Sequence, residues 1–170
     1  LEVIRTDGNT TFWKTFEEQG PPAVNARWCC KVCKLIPVGN LIQDQWGECL
    51  SFIGQRRYES ATRAQSDRVW RNRNVRVQLS AAPIHNWTAL HVWLYLMREK
   101  APHNVLYERH LDRIGCFMCP SSDMALIHRI EAEYPALWQG WLDRLEEYRK
   151  EHNLLAEWVT EGRWRLVEGA

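Results

Sequence analysis

Six cysteines carry the first chemical signal in this chain of 170 residues. Five of them fall in two tight groups, Cys29-Cys30-Lys-Val-Cys33 and Cys116-Phe-Met-Cys119, with Cys49 alone between them. A Cys-x-x-Cys spacing puts two sulfurs on one turn, where both reach a single metal centre. A second pair, distant in sequence, completes four ligands. Four thiolates suit tetrahedral zinc, and they equally suit a [4Fe–4S] cluster. The competing reading is a set of buried free thiols packing as small hydrophobes. A disulfide framework fits less well, since it spreads cysteines along a small secreted chain. Cys49, in a short apolar run, reads as core.

Arginines supply the second candidate site. From Gln55 to Arg76 seven arginines stand against Glu59 and Asp67, a local net charge of +5 in a chain whose net charge is +1. The segment Gly54-Gln-Arg-Arg-Tyr-Glu-Ser60-Ala-Thr-Arg63 follows an expected strand, Glu48–Ile53. In parallel α/β sheets, loops after the strands' C-terminal ends form the ligand crevice. Arg56, Arg57 and Arg63 are therefore the candidates to grip phosphate or sulfate oxygens with bidentate forks. Glu59 is placed to hold one guanidinium. A solvated basic loop or a nucleic-acid patch is the alternative, with nucleic acid the less favoured partner. Arg68 and Arg71 read as solvated, and His85, His91 and His103 are assigned no catalytic role.

These residues need elements to position them. Leu1–Thr6 reads as a strand, and Thr10–Gln19 as a helix stopped at Gly20. Pro21 and Pro22 force an extended loop. Cys30–Ile36 reads as one or two helical turns ended by Pro37, with a short helix from Pro37 to Gln45. A second strand is expected at Val75–Leu79. Thr88 caps a helix to about Lys100, with Leu90, Trp93, Leu94 and Met97 at helical spacing. Ser121 or Ser122 caps a helix through Glu133. Pro135 begins another, to Glu151, whose expected buried face is Leu137, Trp141, Leu145 and Tyr148.

The expected class is α/β: a partial parallel sheet with flanking helices and a helical C-terminal cap. Two regions are expected, 1–120 and an acidic helical extension over 121–170, where ten acids face six Lys/Arg. Most of the ten tryptophans are expected in core positions. No apolar run reaches the ~18 residues of a membrane helix, and no secretory signal pattern opens the chain. The expectation is a cytoplasmic protein that makes no membrane contact. A chain opening directly on a strand reads as a fragment.

Several segments together resemble one family. Ala26-Arg-Trp-Cys-Cys-Lys-Val-Cys-Lys34-Leu-Ile-Pro37 resembles the Cys-Cys-x-x-x-Lys-x-x-Pro segment of cluster-bearing sulfonucleotide reductases. Gly54-Gln-Arg-Arg-Tyr-Glu-Ser60 with Arg63 resembles their Gly-x-Arg-x-x-[Glu/Gln]-Ser loop. Pro83-Ile-His-Asn-Trp-Thr88, Asn104-Val-Leu-Tyr107 and Ile114-Gly-Cys-Phe-Met-Cys-Pro120 follow in the family's order. The resemblance is to the C-terminal portion of the phosphoadenosine phosphosulfate (PAPS)/adenosine phosphosulfate (APS) reductase family, over about Arg27 to Pro120.

That resemblance implies an adenine-nucleotide α-hydrolase fold, and a [4Fe–4S] cluster held by the double cysteine and the Cys-x-x-Cys, with zinc as the alternative. Lys34 falls where those enzymes keep a lysine between cluster and substrate. Arg56 falls on the loop that binds the nucleotide's anionic groups. The implied partners are an adenine sulfonucleotide or ATP, a thiol reductant, and a missing N-terminal half bearing the family's phosphate loop. No cysteine follows Cys119 to match the reductases' nucleophile, and Cys33 makes five candidates for four ligand places. The fourth ligand is Cys29 by resemblance or Cys33 by spacing.

Three functions compete. One is a sulfonucleotide reductase or sulfur-transfer enzyme, of which this stretch alone is inactive. Another is sulfur insertion into nucleic acid by an ATP-pyrophosphatase-type relative. The third is a non-enzymatic, metal-stabilised nucleotide-binding domain.

Overall fold

The computed structural model describes residues 8–73, 75–109, 111 and 114–166. The expected strand Leu1–Thr6 lies outside the described residues. The chain forms two compact units: Leu1–Lys34 together with Gly115–Ala170, and Leu35–Ile114. No helix among the described residues is long and apolar enough to cross a membrane.

The first unit is helical. It contains α1 (Gly8–Gln19), the short α2 (Trp28–Cys30), α6 (Met124–Glu133), α7 (Pro135–Glu151), α8 (Glu157–Thr160) and a 3-10 turn at Arg163–Arg165. Its core joins segments far apart in sequence: Phe16, Met118, Ile130, Trp141, Leu145, Val159 and Trp164. Trp28 packs against this core, and its indole N–H donates to the Gly20 carbonyl at 3.2 Å. Each large apolar side chain buried this way contributes roughly 1.5–3 kcal/mol before entropy is counted.

Trp141 and Leu145 are buried on α7 as the spacing predicts, but Leu137 is 54% exposed. Trp138 and Leu142 are the side chains that pack beside the core instead. Asp123, not Ser121 or Ser122, caps α6, accepting from the Leu126 N–H at 2.7 Å. The Ser122 N–H is already committed to the Cys119 carbonyl.

The second unit is the α/β part. It holds α3 (Ile36–Gln45), β1 (Cys49–Phe52), α4 (Ala61–Ala64), β2 (Val69–Arg71), β3 (Gln78–Ala81) and α5 (Ala89–Arg98). The sheet order is β1-β3-β2, with β1 parallel and β2 antiparallel to β3. The parallel pair was expected; the antiparallel β2 makes the sheet mixed. Its Val69-Trp70 core sits inside the arginine run, which hid the strand signal.

β3 starts three residues later than the apolar run Val75–Leu79 suggests. Asn72 Oδ1 accepts from the Val75 N–H at 3.2 Å and draws that stretch into a turn first. Leu50, Phe52, Val69 and Leu79 are all exposed, Phe52 at 73%. The pairings Leu50↔Leu79 and Phe52↔Ala81↔Val69 put these side chains on one sheet face. Thr88 caps α5 as expected, and Leu90, Leu94 and Met97 on that helix are also exposed. Pro37 does not end helical structure: helical backbone runs from the π turn Lys31–Leu35 through Pro37 into α3.

Gly20 ends α1 with φ +80°, and a Cβ there would lie 2.7 Å from the Tyr148 hydroxyl. Tyr148 cannot easily yield, because it stacks on His152 at 3.9 Å and on Trp158 at 5.6 Å. Gly20→Ala should therefore cost roughly 1–3 kcal/mol. Gly140→Ala, inside α7 with open space around the new Cβ, should stabilise by about 0.4–1 kcal/mol. Thermal unfolding of both variants checks the pair; equal shifts would contradict the packing at Gly20.

Candidate metal centre and anion loop

The cysteine segment begins at Trp28. Helical geometry brings Cys29 and Cys33, four apart, and Cys30 and Cys33, three apart, to neighbouring positions. From Lys31 to Leu35 the helix widens into a π turn, a distortion that recurs at functional sites. Cys116 sits on the loop before the turn Phe117-Met118, and buried Met118 anchors that turn in the core.

Lys34 and four sulfurs interact. Interaction with Cys116 holds the lysine above its ordinary value against the cost of burial, with Cys30 and Cys29 adding to the effect. Burial, followed by the charge of Cys30 and a hydrogen bond with it, pushes the Cys29 thiol up to about 11. Cys33 is likewise raised by burial and then by Cys116 and Cys30, while Lys34 opposes the rise. Cys29, Cys30, Cys33 and Cys116 are thus within electrostatic reach of one another and of Lys34. Cys119, half-buried at the end of the turn, is not in this set.

Among the described residues no group of three or more His, Cys, Asp or Glu side chains is gathered closely enough to hold a metal ion as it stands. The donor chemistry nonetheless fits a thiophilic metal. Thiols that raise one another's pKa ionise together only when a cation compensates their charge.

The arginine loop belongs to the second unit. Glu59 organises it, and holds two guanidiniums where one was expected. Its carboxylate accepts from Arg56 Nε at 3.1 Å and from the Arg56 backbone N–H at 3.3 Å, and pairs with Arg63 Nη1. Burial works against the Glu59 charge, but the Arg56 bonds and the Arg63 charge outweigh it and hold the carboxyl below the usual glutamate value. Arg57 lies over the Tyr58 ring at 5.9 Å.

The loops after the two parallel strands are joined. The Ile53 N–H donates to the Ala81 carbonyl, and the Arg57 N–H to the His85 carbonyl, both at 2.8 Å. His85, 5% exposed, brings its Nε2 to 3.1 Å from the Arg63 carbonyl. Ser66 accepts from the Gln55 side chain at 2.6 Å and donates to the same Arg63 carbonyl at 2.8 Å. His85, Ser66 and Gln55 escaped sequence reasoning. The usable signal was that His85 closes the loop leaving a strand parallel to β1. Arg68, expected to be solvated, donates to the Pro83 carbonyl at 3.3 Å.

Fold and sites together define an α/β protein with a thiol-rich helical segment and an arginine loop after a parallel strand. Residues 1–122 match the phosphoadenosine phosphosulfate reductase domain. The match covers well over half of the chain, and the chain belongs to that family. It is 46% identical over 166 residues to an uncharacterised protein of Methanocaldococcus jannaschii, covering 97% of this chain and 34% of that protein. A second uncharacterised protein of the same organism is 31% identical over 157 residues, covering 92% of this chain and 37% of that protein. The adenosine 5'-phosphosulfate reductase of Geobacillus thermodenitrificans is 31% identical over 111 residues, covering 62% of this chain and 46% of that enzyme. The chain thus spans just over a third of the length of the two M. jannaschii relatives.

Two measurements check the charges at these sites. In the metal-free protein, Lys34→Gln should move the Cys33 thiol further up, because the lysine is what opposes the rise. The pH dependence of alkylation, read peptide by peptide, reports it; an unchanged Cys33 profile would mean the ammonium does not face that sulfur. At the loop, the lowered Glu59 pKa has a definite sign. Its bonds are fully present above the ordinary glutamate pKa and are lost as pH falls through the lowered one. The Arg56 and Arg63 amide resonances should shift only at that acidic step, and Glu59→Gln should abolish the step.

Proposed function

We propose that this chain contributes the cysteine centre and an anion-gripping loop to a sulfonucleotide reductase or sulfur-transfer enzyme. The observation that supports the reading is that Lys34 lies within electrostatic reach of four thiols, Cys29, Cys30, Cys33 and Cys116. A lysine beside the sulfurs is what the family resemblance implies. The proposed ligands are Cys30, Cys116 and Cys119 with either Cys29 or Cys33. A bound [4Fe–4S] cluster, or zinc in its place, would supply a compact anionic centre clamping the two cysteine segments. Lys34 would offset that charge on the side where an anionic substrate approaches.

In this reading Arg56, Arg57 and Arg63 hold the phosphate or sulfate groups of an adenine sulfonucleotide or ATP. The exposed apolar sheet face supports a further part of a longer polypeptide as partner. A thiol reductant and a cytoplasmic setting complete the proposal.

The test uses the full-length protein, purified without oxygen. Iron, sulfide and zinc analysis distinguishes cluster from zinc. Arg56→Ala should weaken APS, PAPS or ATP binding by about 1.5–3 kcal/mol, the scale of a hydrogen bond to a charged group. Arg71→Ala, exposed on β2, should change little. Equal losses at both positions with strongly salt-dependent nucleic-acid binding would replace this reading with sulfur insertion into nucleic acid. Metal retention with no nucleotide binding would leave a metal-stabilised interaction domain.

A further inference from the structure

Arg165 stands well outside the stretch matched by the family, which ends at residue 122. Its guanidinium nevertheless reaches back across the first unit to the Cys-x-x-Cys segment. Nε donates to the Pro120 carbonyl at 3.2 Å, and Nη2 donates to the same oxygen at 2.9 Å and to the Ser122 carbonyl. Nη1 lies 2.7 Å from the Met124 sulfur. Pro120 is among the fully buried residues, so its carbonyl needs an internal donor.

The Arg165 backbone faces the other cysteine segment. Its carbonyl accepts from the Val24 N–H at 2.7 Å, in the loop that leads into α2 and Cys29. The residue before it is fixed: Trp164 is 4% exposed and meets Trp141 edge-on at 5.3 Å. One anchored residue therefore holds the loop before Cys29 with its main chain and the strand of chain after Cys119 with its side chain.

We propose that Arg165 is a positioning residue for the cysteine centre, setting the distance between the Cys29–Cys33 segment and the Cys116–Cys119 turn. Arginine suits the task because its rigid fork serves two carbonyls at once, which the single ammonium of lysine cannot do in the same geometry. The acidic helical extension is then part of the centre's scaffold. Its role here rests on the reading that these thiols bind a metal, but the effect on thiol spacing can be measured without one.

The experiment compares Arg165→Ala, Arg165→Lys and Leu145→Ala in the full-length protein. Leu145→Ala loosens the same core without touching either carbonyl. Two readouts are taken. In metal-free protein, a short bifunctional thiol reagent joins Cys116 to Cys29, Cys30 or Cys33, and peptide mapping gives the rate. In metal-loaded protein, a chelator competes for iron or zinc.

Arg165→Ala should slow the cross-link and weaken metal retention by about tenfold or more, the usual scale for residues that orient ligands. Arg165→Lys, which keeps the charge and most of the packing, should fold and still show part of the loss. Leu145→Ala should lower the melting temperature but affect both readouts less than the Arg165 variants do. If both Arg165 variants cross-link as fast as the native protein, the proposal is overturned. If they lose no more than Leu145→Ala does, it is overturned equally. A native protein that binds neither iron nor zinc would refute the metal reading alone, and the cross-linking rates would still decide the role of Arg165.

Discussion

Crowded thiols resist ionisation, and the first unit is built around that constraint. Burial first, and then the charge a neighbouring thiolate at Cys30 would carry, are why Cys29 rises to about 11. Positive charge is the remedy, and the chain supplies one such charge in Lys34. A single ammonium offsets about one thiolate, not four. Among the described residues the remaining thiols stay protonated unless a bound cation takes the place of their protons, which is what the proposed ligand role would require. Lys34 and Cys116 are both exposed, so this compensation happens at a face that a substrate can reach.

Bringing Cys116 to Cys33 closes a long stretch of chain, and local propensity does not help with that. The work falls to the aromatic core. Phe16 of α1 meets Trp141 of α7 at 5.7 Å, and Trp141 meets Trp164 at 5.3 Å. Met118 is driven into the same core from within the Cys-x-x-Cys turn. Because Met118 is buried, Cys116 and Cys119 on either side of it are held in place by hydrophobic burial before any ligand arrives. The extension beyond residue 122 provides most of the surface they pack on. The 97% coverage of the first M. jannaschii relative necessarily includes most of that extension.

What was legible in the sequence follows from which interactions leave a pattern. Cysteine spacing is such a pattern, and it located both segments; the choice between Cys29 and Cys33 stayed open because both lie near Cys30 and Cys116. Helix starts were legible from their chemistry, as at Thr88, but at α6 the expected caps Ser121 and Ser122 gave way to Asp123, the next residue in the row. Periodicity gave the buried Trp141 and Leu145, yet could not say that the helix's first turn faces Trp138 rather than Leu137 toward the core. β2 was invisible because Val69 and Trp70, two residues between Arg68 and Arg71, carry too little apolar signal. Arg165 left no trace, because the oxygens it binds are backbone carbonyls, which every residue has. His85 left only its place after a strand, since Ser66 and the Arg63 carbonyl reach it through the fold.

The anion loop obeys a different economy from the thiol centre. Glu59 cancels one of the two guanidinium charges it holds, so Arg56, Arg63 and Glu59 together present a single positive charge. What the carboxylate gives in return is order. A free arginine carries about 2 kcal/mol of rotamer entropy, and Glu59 removes part of that cost before a ligand binds. Each guanidinium has five N–H donors, and the bonds to Glu59 leave most of them available. A loop of this kind selects by the placement of its donors more than by net charge. It suits a compact oxyanion such as a phosphate or sulfate ester. A polyanion such as nucleic acid draws its affinity from many unpaired cations and the counterions they release, and tying two arginines to one carboxylate works against that mode of binding.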